Sequence, residues 1–148
     1  MNLKKIKEGI KKIVAGRKRV VVIVQCRLSS TRLPGKALLP LGGKTILEWT
    51  LASMKKVEAS KYFLAVDEQS REELEPIAKE CGWDFYAGSQ SDVLDRFCNV
   101  VKISKADVVL RATADNPFLF YEAAQKLVDE YFFREKNSLN SPFILATL

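Results

Sequence analysis

Apolar and polar residues occur in blocks along the chain, and four apolar blocks have the length of a buried strand. Residues 20–24 are an unbroken β-branched run, which is typical of a strand that a parallel sheet buries on both faces. Runs of the same length that are mostly apolar cover residues 62–66, 83–87 and 106–110. These four segments predict the strands of one mainly parallel sheet.

Segments with apolar residues at helical spacing separate these runs. Thr45 and Glu48 have the spacing of a capping box at the start of a helix, and Ser70 and Glu73 have it before another. Pro76 lies inside the second helix, so we expect it to kink that helix or to delay its start. Alternating strands and helices predict a three-layer α/β domain with a mainly parallel, Rossmann-like sheet.

Two further helices are predicted in the second half of the chain. Ser91 is the expected N-cap of the third helix, and a fourth ends near Arg134. Gly82 is the expected C-cap of the helix before them. The residues expected on the buried face of the third helix are Val93, Leu94, Phe97, Val100 and Val101.

The pattern divides the chain into three parts. Residues 1–19 are a basic extension in which residues 2–15 predict an amphipathic helix. Residues 20–135 are the α/β domain, and residues 136–148 are a tail without a clear assignment. The basic helix is expected to pack on the domain or on a partner subunit, or to be a frayed terminus, and binding to an anionic membrane surface is the alternative.

Charge is concentrated in that extension. The chain carries +6 overall, whereas residues 1–19 alone carry eight basic residues and one acid. The remaining 129 residues carry 16 basic and 17 acidic residues, so the domain gives little support for nucleic-acid binding. We found no apolar run long enough for a membrane span and no secretory signal, which predicts a cytoplasmic protein.

Histidine and cysteine usage limits the chemistry. The chain has no histidine, which excludes a histidine base, a Ser-His-Asp triad and a histidine-ligated metal. Cys26, Cys81 and Cys98 are too far apart for a zinc site. We expect three buried thiols in a reducing compartment.

A cationic loop directly follows the first predicted strand. It predicts a polyphosphate site, because cations, hydroxyls and backbone N–H groups suit that ligand at the carboxyl end of a strand. Pro34 and Gly35 supply a turn that brings the backbone close to the anion. An ordinary solvated surface loop is the alternative. The candidate ligands are Arg27, Ser29, Ser30, Arg32, Gly35 and Lys36.

A second glycine-containing segment, residues 42–45, invites comparison with a P-loop. The complete motif needs a glycine at position 38, where this chain has Leu38. Gly42 and Gly43 are therefore expected to form a tight turn, with Lys44 a solvated charge.

Asp115 lies just beyond the end of the fourth predicted strand. Magnesium bound to phosphates needs one or two carboxylates and keeps several waters, so Asp115 is a candidate for that role. The alternative is a turn residue that precedes Pro117.

Three motifs together resemble the cytidylyltransferase family, which includes CMP-KDO synthetases and acylneuraminate cytidylyltransferases, and most closely its SpsF branch of spore coat polysaccharide proteins. Residues 25–36, Gln-Cys-Arg-Leu-Ser-Ser-Thr-Arg-Leu-Pro-Gly-Lys, resemble the family's N-terminal signature. Residues 88–97 resemble its Gly-Ser-x-x-Asp-Val-Leu-Asp-Arg segment, and residues 115–117 resemble its Asp-x-Pro motif.

The resemblance implies a nucleotidyltransferase that moves CMP from CTP to a sugar or sugar-acid hydroxyl and releases pyrophosphate. It implies catalytic roles for Arg27, Lys36 and Asp115, with Mg²⁺ on Asp115. It also implies that Asp95, Arg96 and Thr113 border the nucleotide, although an ion pair between Asp95 and Arg96 is the alternative.

The resemblance covers residues 20–135, which correspond to the N-terminal half to two-thirds of a family member. Two hypotheses therefore remain open: an enzyme of the SpsF type, or a shortened nucleotide-binding or interaction protein without turnover. Uncovered apolar surface on such a shortened sheet predicts self-association.

Overall fold

A four-stranded parallel sheet forms the centre of the molecule. The computed structural model describes residues 18–29 and 32–137, so Ser30, the predicted helix over 2–15 and almost all of the predicted tail lie outside the described residues. The strands are β1 (Val20–Cys26), β4 (Lys61–Asp67), β5 (Asp84–Gly88) and β6 (Val108–Thr113). Their spatial order is β5-β4-β1-β6, and all neighbours are parallel, as predicted.

Four helices and a small hairpin complete the described fold. The helices are α1 (Ile46–Met54), α2 (Arg71–Glu80), α3 (Val93–Ser104) and α4 (Tyr121–Lys136). The hairpin pairs β2 (Pro40–Leu41) with β3 (Lys44–Thr45). Single 3₁₀ turns cover Lys36–Leu38 and Glu68–Ser70.

Strand β1 separates two apolar layers because its side chains alternate between the faces of the sheet. Val22 and Val24 pack in the larger core with residues of α1, α2 and α4. Val21 and Ile23 point to the opposite face, where they pack with Val100 of α3. The predicted three-layer α/β architecture is therefore confirmed.

Helix α1 begins as the sequence predicts. Thr45 Oγ1 accepts a hydrogen bond from Glu48 N at 3.2 Å, and Glu48 Oε2 accepts one from Thr45 N at 2.6 Å, which completes the capping box. Gly42 and Gly43 both have positive φ and form the tight turn of the hairpin. The alternative of a P-loop at this position is thereby excluded.

Helix α2 departs from the prediction at its start, and at its end the C-cap is Cys81, one residue before the predicted Gly82. Ser70 occupies the N-cap, but its side chain makes no capping bond to the helix, so the predicted capping box with Glu73 is wrong. The helix begins at Arg71 and continues through Pro76 without a delayed start. Gly82 has φ +67°, and Trp83 N donates to Ala78 O at 2.9 Å, as in a Schellman motif.

Helix α3 differs from the prediction in its N-cap and in the residues that it buries. Asp92 caps the helix by accepting a bond from Asp95 N, so the prediction of Ser91 is wrong by one residue. Leu94, expected to be buried, is 72% exposed, and Arg96 is fully buried instead.

The cysteines do not share one environment. Cys26 is buried, as predicted, Cys81 is partly buried and Cys98 is exposed. The expectation of three buried thiols is therefore wrong for Cys98. In the described part of the chain, no helix combines the length and apolar character that a membrane crossing requires.

Candidate active site

Strands β1 and β6 bring the two predicted site segments together. They are neighbours in the sheet, with Gln25 paired to Thr113. The chain proceeds from β1 to β4 and β5 on one side and returns with β6 on the other. The carboxyl ends of β1 and β6 therefore flank a topological switch point, which is where open α/β sheets bind ligands.

The loop after β1 is closed by backbone contacts. Gly35 N donates to Leu28 O at 2.9 Å, and Lys36 N donates to Leu33 O at 3.3 Å. Gly35 has φ +68°, a conformation that costs little only for glycine. Lys36 then begins a 3₁₀ turn and is thereby placed beside the end of β6.

A cleft of about 220 Å³ lies where the loop meets β6. Four cationic side chains and one carboxylate line it, so its potential favours an anionic ligand. Lys36 Nζ lies 3.7 Å from Asp115 Oδ2, and both side chains are solvent accessible. The lining residues are Gln25, Cys26, Arg27, Arg32, Lys36, Ala37, Arg111, Thr113, Ala114 and Asp115.

Five sequence-predicted site residues line this one cleft: Arg27, Arg32, Lys36, Thr113 and Asp115.

Other candidate residues lie apart from the lining of this cleft. Gly35 shapes the loop through its backbone, and Ser29 is exposed beside the undescribed Ser30. Asp95 is exposed on the first turn of α3, where it accepts a bond from Asn99.

Arg96 is enclosed by protein. Its Nη1 donates to Ser89 O at 2.6 Å, whereas Nε and Nη2 have no hydrogen-bond partner among the described residues. In this conformation Arg96 presents no surface to a ligand. Within the described residues no ion pair joins it to Asp95, so that alternative is not supported.

Two polar cleft residues, Gln25 and Arg111, were missed by the sequence analysis. Arg111 Nη2 donates to Gln25 Oε1 at 3.3 Å, and the guanidinium carbon lies 5.7 Å from the centre of the Phe97 ring. Arg111 is two positions before Thr113 on β6, so both side chains point to the same face. This two-residue spacing from Thr113 could have identified Arg111 as a cleft residue from the sequence.

Cys26 lines the cleft without being a nucleophile. Desolvation by burial, followed by the charges of Asp67 and Asp115, raises the pKa of the Cys26 thiol to about 12. The thiol is therefore neutral at physiological pH, and a neutral thiol is a poor nucleophile.

Metal binding at this cleft would depend on Asp115. Among the described residues no group of three or more histidine, cysteine, aspartate or glutamate side chains is arranged to hold a metal ion. One exposed carboxylate beside cations fits an ion held largely by ligand phosphates and water, which is the usual arrangement for Mg²⁺.

Comparison with known proteins agrees with this geometry. Residues 21–145 match the sequence profile of a family described as cytidylyltransferase. The chain is 33% identical over 119 residues to the spore coat polysaccharide biosynthesis protein SpsF of Bacillus subtilis, covering 76% of this chain and 50% of that protein. It is 27% identical over 104 residues to a 3-deoxy-manno-octulosonate cytidylyltransferase of Saccharophagus degradans, covering 67% and 40%.

A solved structure shows the same fold. A cytidylyltransferase from Leptospira borgpetersenii superposes with a TM-score of 0.76 at 30% identity and covers 80% of this chain and 51% of that one. The chain thus spans about half the length of the relatives it matches.

Proposed function

The chain belongs to the cytidylyltransferase family, and on that basis we propose that the cleft between β1 and β6 binds CTP with Mg²⁺. The proposed reaction transfers CMP to a sugar or sugar-acid hydroxyl in surface polysaccharide biosynthesis. The supporting observation is that Arg27, Arg32, Lys36 and Asp115, from two distant parts of the sequence, line one cleft.

The proposed chemistry is a displacement at the α-phosphate. The acceptor hydroxyl oxygen forms a bond to that phosphorus, the bond to the β-phosphate oxygen breaks, and pyrophosphate leaves as the hydroxyl proton passes to solvent. Charge neutralisation and positioning are the main contributions that a protein makes to such a step. Mg²⁺ would supply neutralisation of the phosphate charges.

The sequence-predicted residues of the cleft and of its loop have proposed roles in this step. Arg27, Arg32 and Lys36 would hold the phosphates, and Asp115 would hold Mg²⁺. Binding would replace the Lys36–Asp115 contact by separate contacts to phosphate and metal. Thr113 would border the base, and Ser29, Ser30 and Gly35 would shape the loop.

For the motif on α3 the proposed roles differ. Asp95 is exposed and free to approach a nucleotide, whereas buried Arg96 would act through Ser89, whose carbonyl it binds.

A nucleotide-binding protein without turnover is the second candidate. One observation favours it: among the described residues a single carboxylate, that of Asp115, lines the cleft. Both candidates share the division into a basic extension over 1–19, a nucleotide-binding domain over 20–135 and a tail over 136–148. Both also share a cytoplasmic location, self-association and no role in nucleic-acid binding.

Calorimetric titration with CTP, with and without Mg²⁺, tests the site, and titrations with ATP, GTP and UTP test its selectivity. We expect Mg²⁺-dependent binding that favours CTP. Lys36→Ala should weaken binding roughly 10- to 100-fold, because a hydrogen bond to a charged group is worth about 1.5–3 kcal/mol. Asp115→Ala should make the affinity insensitive to Mg²⁺.

Lys79→Ala is the matched control, since Lys79 is an exposed lysine paired with Glu75 on α2 and should leave the affinity unchanged. Pyrophosphate release with a panel of sugar acids then separates the two candidates. Absence of binding by any nucleotide would refute both.

A further inference from the structure

Both backbone polar groups of Leu28, the second residue after β1, form hydrogen bonds. Its carbonyl accepts the bond from Gly35 N that closes the cationic loop. Its N–H donates to Ser70 Oγ at 3.1 Å. The two ends of the loop therefore meet at Leu28, and Leu28 is in turn attached to a residue 42 positions away.

The Ser70 hydroxyl has a fixed orientation. It donates to Asp67 Oδ1 at 2.9 Å, and Ser70 N donates to the same oxygen at 3.0 Å. A serine hydroxyl has one proton, and because Asp67 takes that proton, the oxygen can only accept from Leu28. The chain of bonds thus has a single direction, from Leu28 through Ser70 to Asp67.

Burial makes this chain of hydrogen bonds rigid. We call it the relay: Leu28 N–H to the Ser70 hydroxyl, and that hydroxyl to Asp67. Asp67 has no exposed surface and Ser70 has 2%, and hydrogen bonds are stronger where water is excluded. Asp67 Oδ2 has no hydrogen-bond partner among the described residues, so Oδ1 carries the contacts that the structure shows. Asp67 ends β4, next to β1 in the sheet.

The relay does not serve the helix that it precedes. Ser70 is the N-cap of α2 but makes no side-chain capping bond there. Its hydroxyl oxygen instead accepts the N–H of Leu28, at the start of the loop that carries Arg32 and ends beside Lys36. A local capping role therefore does not account for this serine.

We propose that Ser70, oriented by Asp67, is a positioning residue that fixes the cationic loop in its anion-binding conformation. This inference rests on the proposed nucleotide site. Without the Ser70 hydroxyl, the N–H of Leu28 loses this partner, and the Leu28–Gly35 closure of the loop is no longer anchored through Ser70 to the segment after β4. The loop then populates conformations in which its cations no longer converge on the cleft.

Ser70→Ala compared with Ser104→Ala tests the proposal. Ser104 is also buried, and its hydroxyl donates to Val100 O at 2.7 Å within α3, so both variants remove one buried hydroxyl. We expect Ser70→Ala to weaken Mg²⁺-CTP binding about tenfold, the size of one lost net hydrogen bond. Ser104→Ala should bind as wild type does, although its melting temperature also falls.

Amide hydrogen exchange supplies a readout that does not depend on any nucleotide. In Ser70→Ala the amides of Leu28 and Gly35 should exchange at least tenfold faster, whereas Ser104→Ala should leave them protected. Ser70→Thr keeps a hydroxyl and should restore both affinity and protection. Asp67→Ala, which removes the acceptor for the Ser70 proton, should act in the same direction as Ser70→Ala.

The outcomes separate this inference from the proposed function. If the wild-type protein binds nucleotide and Ser70→Ala binds equally well, Ser70 is not a positioning residue, whatever the exchange rates are. If the wild-type protein binds none, the proposed function fails and the inference falls with it.

Discussion

Cys26 lines the cleft, yet its surroundings remove it from the chemistry. It is 4% exposed, and burial together with the Asp67 and Asp115 charges raises its pKa to about 12 from an ordinary value of 9.0. The folded protein therefore keeps a proton on Cys26 at pH values where the unfolded chain has lost it. By linkage, this group makes the unfolding free energy fall as pH rises above about 9.

Denaturant unfolding between pH 9 and pH 11 checks this sign. The contribution of Cys26 is a loss of about 1.4 kcal/mol per pH unit, complete only near its folded pKa. Cys26→Ala should lose less stability over that interval than wild type does. Cys98→Ala, at an exposed site, should follow wild type, and parallel curves for all three proteins would contradict the prediction.

Helix α1 depends on its capping box. Thr45→Ala should lower the unfolding free energy by about 1 kcal/mol, because the side-chain acceptor for Glu48 N is lost. Thr45→Ser keeps that acceptor and should lose much less. Chemical denaturation measures both variants. Equal stability of Thr45→Ala and wild type would show that the box is not stabilising.

Locally encoded elements were predictable from the sequence, and features set by distant contacts were not. The apolar run of β1, the capping box of α1 and the glycine end of α2 each depend on neighbouring residues. Ser70 illustrates the other class: its spacing to Glu73 fits a capping box, but Leu28 competes for the hydroxyl from 42 positions away.

The same distinction explains the errors on α3. Ser91 and Asp92 are both good N-caps, and only the helix geometry selects Asp92. Burial of Arg96 and exposure of Leu94 reverse the usual preferences, so no apolar pattern could predict them. In the site, Arg27, Arg32, Lys36 and Asp115 were found because they follow strands, and Thr113 was found by resemblance to the family, whereas Arg111 lies within β6.

At the scale of the whole molecule, one side of the sheet is sparsely covered. Within the described residues, β6 pairs with β1 and with no other strand. Leu94 and Ile103 on α3 and Val109 on β6 are exposed apolar residues on this side. Such uncovered surface next to a free strand edge favours association.

We therefore expect self-association through this side. The double variant Ile103→Glu, Val109→Lys should shift the protein toward monomer, because it would bury charge in the contact. Sedimentation velocity over a concentration series measures the shift. Phe133→Glu is the control, since Phe133 is an exposed aromatic on α4, on the other side of the sheet. A wild-type protein that stays monomeric throughout would contradict the expectation.

The central position of β1 has a consequence for biosynthesis. Val21 pairs with Lys61 on one side and with Val109 on the other, so β1, which leaves the ribosome before β6, waits for that strand to be made. An unpaired β-branched segment is a template for intermolecular cross-β contacts, and pairing between distant segments is slow. Soluble yield should thus depend on translation speed and on holdase chaperones that shield this segment until β6 has been made.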